Sequence, residues 1–170
     1  MNVSSNELQM TVLKACRGVG LPFAQAQEVA AAVAASPEAI PDLLRHLNNP
    51  FKKKADFDFT NGLKVKNIII LRDFSVCADA ALCGTSPVII HDIVKCEMIT
   101  ALAKYRGVTV SIQSNDLSIS SGIMSELLFE RHNLNTEEWK AIGNYAALTY
   151  VPETDQSRLD GAGAGLSDND

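Results

Sequence analysis

The stretch from Pro87 to Gln113 constrains the fold of this chain more than any other segment. Pro87-Val88-Ile89-Ile90-His91 is a short apolar run, β-branched at its centre, of the kind that makes a buried strand. Asp92 then stands where a helix N-cap would, Ile93–Tyr105 reads as a helix, and Gly107 is placed to end it in a left-handed turn. Val108–Gln113 follows as a second strand. A strand, a helix of that length and another strand predict a βαβ unit with parallel strands and a right-handed crossover.

The residues ahead of that unit read as helices. Ser4 followed by Glu7 has the form of a capping box, and Leu8, Val12, Ala15 and Cys16 recur at helical spacing, which predicts a helix from about Ser5 to Arg17. Gly18 and Gly20 supply a left-handed stop, and Pro22 opens a second helix through Ala24–Ala35, closing a helical hairpin. Ser36 and Pro37 read as N-cap and first position of a third helix to about Leu47, with Pro41 able to delay its start by a turn. Phe51–Gly62 joins a lysine run to Asp-Phe-Asp-Phe alternation and then Asn-Gly, the pattern of a loop or small hairpin rather than of a new domain. Asn67–Cys83 fits either a strand followed by a helix or one buried helix, and the helix is favoured.

Beyond the turn at Asn115 and Asp116, Leu117 and Ile119 alternate with serines, as in a short strand paired with the one before. Met124, Leu127, Leu128 and Arg131 have helical spacing. Asn135 with Glu138 gives a second capping-box pattern, and Trp139, Ile142 and Ala146 mark one face of a last helix that Pro152 stops.

At 170 residues the chain matches one domain of about 150 residues with appendages. With 46% hydrophobic and 21% charged residues it can bury roughly 68% of its unfolded surface without staples. Cys16, Cys77, Cys83 and Cys96 are too few and too scattered for a disulfide framework, and no leader-like segment opens the sequence, so the expected compartment is the cytoplasm. The longest apolar run, Asn67–Leu82, is broken by Arg72, Asp73 and Asp79, whereas a membrane span needs about 20 predominantly apolar residues.

Charge is uneven. Residues 1–85 carry net +1 and residues 86–170 net −6. A sequence pI near 5.2 argues against nucleic acid, which relies on many cations neutralising phosphates. Lys52, Lys53, Lys54, Lys64 and Lys66 interleave with Phe51, Phe57 and Phe59, but Asp56 and Asp58 dilute that charge. The favoured reading is a solvated loop with its phenylalanines turned inward.

Candidate sites are sparse. His91 beside Asp92 falls at the carboxyl end of a predicted strand, where open α/β sheets bind ligands, although a capping Asp92 over a packed His91 explains the pair as well. Cys77, Cys83, His91 and Cys96 lack the two-to-four-residue pairing usual for zinc, and buried inert thiols explain the cysteines better. There is no nucleophile elbow, HExxH or P-loop signature, and neither a cofactor nor a metal is expected.

The tail carries more information. Gly161-Ala-Gly-Ala-Gly165 has the wrong spacing for a dinucleotide fingerprint, but its glycine amides beside Ser157 and Arg158 can form a concave nest for a carboxylate or phosphate gripped by the guanidinium. Ordering Ser157 onward costs roughly 14 to 28 kcal/mol of backbone entropy. Burying Leu159 and Leu166 returns about 3 to 6 kcal/mol. An ordered tail therefore needs the body, a neighbouring subunit or a ligand.

Asn6-Glu7-Leu8 with Lys14–Gly20, the Trp139 helix, and the ending from Tyr150 through Ser157-Arg158 to Gly161–Asp170 resemble a bacterial family catalogued as a domain of unknown function. The resemblance is carried by the two ends and implies no activity, but it marks those ends as the distinctive parts of the fold. Over about thirty residues, Ser5-Asn6-Glu7-Leu8 and the glycine-terminated first helix are also similar to the N-terminal hairpin of malate and lactate dehydrogenases of the non-Rossmann type, with none of their catalytic residues placed here.

Together these features predict a helix-rich α/β domain, with α+β as second choice. It comprises a helical part (1–50), an α/β part (63–151) and a glycine-rich tail (152–170) packed on the body or on a partner subunit. The expected function is binding of a small anionic metabolite where the tail returns to the first hairpin turn, through Arg17, Ser157, Arg158, Gly161, Gly163 and Gly165. The alternative is a non-catalytic homo-oligomer whose tail embraces a second subunit.

Overall fold

The computed structural model describes residues 1–49, 53–123 and 130–149. Strand β1 (Asn2–Ser4) leads directly into helix α1 (Ser5–Gly18). The predicted capping box is formed: the Ser4 hydroxyl accepts from the Glu7 N–H at 3.2 Å, and the Ser4 N–H donates to the Glu7 carboxylate at 2.7 Å. Those bonds favour the ionised carboxylate and hold the Glu7 pKa below its usual value. Gly20, at φ +90°, turns the chain, and α2 (Phe23–Ala35) returns along α1. Gly18 does not supply the left-handed stop expected of it. It lies within the last turn of α1, where a Cβ would stand 2.4 Å from the Tyr145 carbonyl oxygen.

Helix α2 is rich in alanine because it is buried on several sides at once. Ala26, Ala30, Ala32 and Ala34 are fully covered, and the helix packs against α1 as well as the later helices α4 and α5. A 3₁₀ turn (Pro37–Ala39) precedes α3 (Ile40–Leu47). Pro41 falls in the first turn of α3, where a missing N–H removes no helical bond.

The segment 56–66 is a hairpin of β2 (Asp56–Asp58) and β3 (Leu63–Lys66), followed by α4 (Ile70–Leu82), β4 (Val88–Ile90), α5 (Glu97–Arg106), β5 (Val108–Gln113) and β6 (Asp116–Ser121). Strand order in the five-stranded sheet is β2-β3-β4-β6-β5. The fold is helix-rich α/β, and its adjacent parallel pair is β3–β4, joined by α4. The 87–113 unit differs from expectation. Strands β4 and β5 run in the same direction, but β6 lies between them, antiparallel to both. A two-residue turn at Ser114–Asn115 brings β6 back beside β5 at little loop-closure cost, and its Leu117 and Ile119 carry the apolar face on to β4.

Register builds two apolar rows on one face of the sheet, Leu63–Val88–Ile119–Val110 and Val65–Ile90–Leu117–Ile112. These rows meet the helices in one continuous core that includes Phe74, Met98 and Leu102. The opposite face is more polar, with Lys64, Ser118 and Ser111 exposed in one row around a half-buried Ile89.

A second, two-stranded sheet pairs β1 with β7 (Arg131–Asn133), and α6 (Thr136–Ala147) then packs along α1. Arg131 is thus the first residue of a strand and not part of a helix with Met124, Leu127 and Leu128, which lie outside the described residues. Asn135 caps α6 by accepting from the Glu137 N–H at 2.8 Å, without the reciprocal box expected with Glu138. Phe57 and Phe59 do not turn inward. They are 37% and 63% exposed and stack on each other with ring centroids 6.4 Å apart. No helix among the described residues is long and apolar enough to cross a membrane.

Candidate functional site

The last turn of α1 and the end of α6 converge because Gly18 admits the Tyr145 carbonyl and the Leu148 side chain at close range. Between them opens a cleft of about 450 Å³ lined by Leu13, Lys14, Arg17, Phe23 and Thr149. Lys14 and Arg17 are three positions apart on α1, so the helix itself sets both cations on one side. Arg17 is tethered by its Nη1, which donates to the Leu21 carbonyl at 2.7 Å, and Thr149 donates its hydroxyl to the Ala146 carbonyl at 2.7 Å. Phe23, 55% exposed at the start of α2, and Leu13 form the apolar walls. Among the described residues, none that lines the cleft is a carboxylate. The Arg17 guanidinium keeps further N–H donors beyond the one given to Leu21, which suits an anion, and the apolar walls suit a hydrocarbon body.

Of the residues the sequence singles out for binding, Arg17 is in this cleft. Ser157, Arg158, Gly161, Gly163 and Gly165 lie outside the described residues. Lys14, Phe23 and Thr149 were not anticipated. The i, i+3 spacing of Lys14 and Arg17 was a readable signal, whereas Thr149 reaches the cleft only through the packing of α6 on α1.

A second cleft of about 450 Å³ lies over the β2–β3 hairpin, lined by Asp56, Phe57, Asp58, Lys64, Lys66 and His91. Cross-strand register sets Asp56 opposite Lys66 and Asp58 opposite Lys64, which balances the charge within the hairpin. Asp56 accepts from the Asn67 amide at 2.7 Å. Asp58 accepts from the Thr60 hydroxyl at 2.6 Å and N–H at 2.9 Å, and these bonds hold its carboxyl below the usual range. His91 Nδ1 lies 3.0 Å from an Asp116 carboxylate oxygen. Its two aspartates and His91 are thus bonded to the neighbouring Asn67, Thr60 and Asp116.

Asp92 does not cap the helix that follows it. It sits at φ +58° and α5 begins only at Glu97. The N-terminus of α5 is capped instead by Asp42 of α3, whose Oδ2 accepts from the Glu97 N–H and, at 3.4 Å, from the Met98 N–H while its Oδ1 pairs with Arg45.

Burial raises the Cys16 and Cys77 thiols to about 12 and also raises Cys96, but Cys83 is exposed and so is not the core thiol expected. Among the described residues, no three His, Cys, Asp or Glu side chains come together as metal ligands. Comparison with protein-family models, with curated proteins and with solved structures finds no match to this chain.

Proposed function

We propose that this protein binds a small organic anion, a carboxylate or phosphate with an apolar body, in the cleft between α1 and α6. The observation that carries the reading is Arg17, tethered by the Leu21 carbonyl at the wall of this cleft with Lys14 one turn away on α1, against the apolar walls of Leu13 and Phe23. Arg17, held by the Leu21 carbonyl, is presented without having to order a free side chain, so less entropy is lost when it grips the anion. In this proposal the glycine-rich tail supplies the remaining anion contacts. Ser157 is eight positions beyond Thr149, and eight extended residues span up to about 28 Å, enough to turn back over the cleft and bring Arg158 and the amides of Gly161, Gly163 and Gly165 to the same anion.

Thermal denaturation and isothermal titration with benzoate, phenyl phosphate and inorganic phosphate test the reading. A ligand at a hundred times its dissociation constant stabilises the native protein by about 2.7 kcal/mol. Arg17→Ala and Arg158→Ala are each expected to abolish that stabilisation without altering the unliganded protein's far-ultraviolet circular dichroism. Absence of stabilisation by all three anions, or equal stabilisation of both variants, overturns it.

A further inference from the structure

We propose that two copies of this chain associate about a twofold axis through the outer edge of β5, with α5 alongside, joining their five-stranded sheets into one. The inference is independent of the anion site.

The two edges of the sheet are built differently. Strand β2, at one edge, has three residues, two of them aspartates, a short charged border of the kind that repels another strand. Strand β5, at the other, has six residues, Val-Thr-Val-Ser-Ile-Gln, with no charge, proline or glycine, and it pairs with β6 at every position without a bulge. Nothing in its composition blunts that edge, and among the described residues no strand pairs with its outer side. A long, regular, uncharged edge is a template for another strand.

The side chains restrict what that strand can be. Beside β5 runs a groove of about 330 Å³ lined by Lys95, Cys96, Ile99, Thr100, Val110 and Ile112. Val110 and Ile112 are only half-buried in it, while Thr109, Ser111 and Gln113 face the other way and are exposed. Any partner strand must keep apolar residues on the groove side, because a one-residue slip reverses every side chain. Antiparallel pairing of β5 with itself, centred on Val110, does so. Val110 faces Val110 of the second copy, Ile112 faces the second copy's Val108, and Thr109 faces its Ser111.

Helix α5 carries the matching charge pattern. Glu97, Thr100 and Lys104 are exposed and, at i, i+3 and i+7, share one face, acidic at the start and basic at the end. Neither Glu97 nor Lys104 is in an ion pair among the described residues. A twofold axis near Thr100 sets Glu97 against the second copy's Lys104, twice. Thr100 and Val110 line the same groove, so one axis serves both the strands and the helices. Self-complementarity of edge, groove and helix selects a second copy over an unrelated peptide.

Analytical ultracentrifugation of the full chain over a concentration series, without added anion, tests this. The unaltered protein is expected to be dimeric. Glu97→Lys and Lys104→Glu each replace two attractive contacts with two repulsive ones and are expected to weaken self-association roughly tenfold or more. Mixed in equal amounts the two variants regain complementary pairs, and the dimer is expected to return, which misfolding of either variant would prevent. Val110→Lys, which places a cation on the axis, is expected to be monomeric alone and in every mixture. A monomeric unaltered protein overturns the proposal, and so does a dimer that neither the charge variants nor Val110→Lys weakens.

Discussion

Gly18 and Gly20 look alike in the sequence, yet they do different work. Gly20 holds a φ of +90° with open space where a Cβ would go, so its requirement is purely conformational. Gly18 is helical, and the limit there is the Tyr145 carbonyl. By helix propensity alone, Gly18→Ala would gain about 1 kcal/mol. Forcing a methyl against a backbone oxygen costs about 1 to 3 kcal/mol through displacement of α6, so the expected net result is a lower urea midpoint with an unchanged m-value. The stop at Gly20 was legible because φ preference is local. The role of Gly18 was not, because the atom it accommodates comes from more than a hundred positions away. The same division holds in the anion cleft: Arg17 was legible from its place at the glycine turn, while Thr149 depends on which helix packs against α1.

Whole helices follow the same rule. The first hairpin was readable almost to the residue, since the Ser4–Glu7 box, Gly20 and Pro22 are signals that act within a turn of where they stand. The start of α5 was not, because its cap is borrowed. Asp92 has the right chemistry for an N-cap but adopts a left-handed backbone, and the buried Asp42 caps the helix from α3 across 55 positions of sequence. Asp42→Ala is expected to cost about 1 to 3 kcal/mol in urea denaturation, because it leaves two helix-start donors without their acceptor. Asp42→Asn, which retains an acceptor oxygen, is expected to lose roughly half as much. Sheet order was opaque for a related reason. Strand and turn residues identified β4, β5 and β6 locally, but the choice between a direct β4–β5 contact and an intervening hairpin depends on which pairing closes with less entropy. Strand β7, the three polar residues Arg131–Asn133, has no apolar alternation to announce it.

On the scale of the whole molecule, stability depends on pH through a histidine no sequence pattern marked. His46, in the last turn of α3, is half-buried, and burial lowers its pKa below the ordinary 6.5; the Asp42 carboxylate opposes that shift and Arg45 adds to it. A base with a depressed folded pKa takes up its proton first in the unfolded chain, so stability rises with pH. The His46 contribution is present above about pH 6.5 and is lost as pH falls from there through the folded value. Melting temperatures measured from pH 7.5 to 5.5 are expected to fall, and His46→Gln is expected to flatten that fall; an identical slope in the variant excludes His46 as its source. The pairing of β1 with β7, and of α1 with α6, also dictates an order of events during synthesis. Helix α1 leaves the ribosome well over a hundred codons before the residues of α6 that cover one of its flanks. Until then the nascent chain carries a naked apolar stripe on α1, so translation arrested before α6 yields a fragment prone to clump or to be seized by a chaperone.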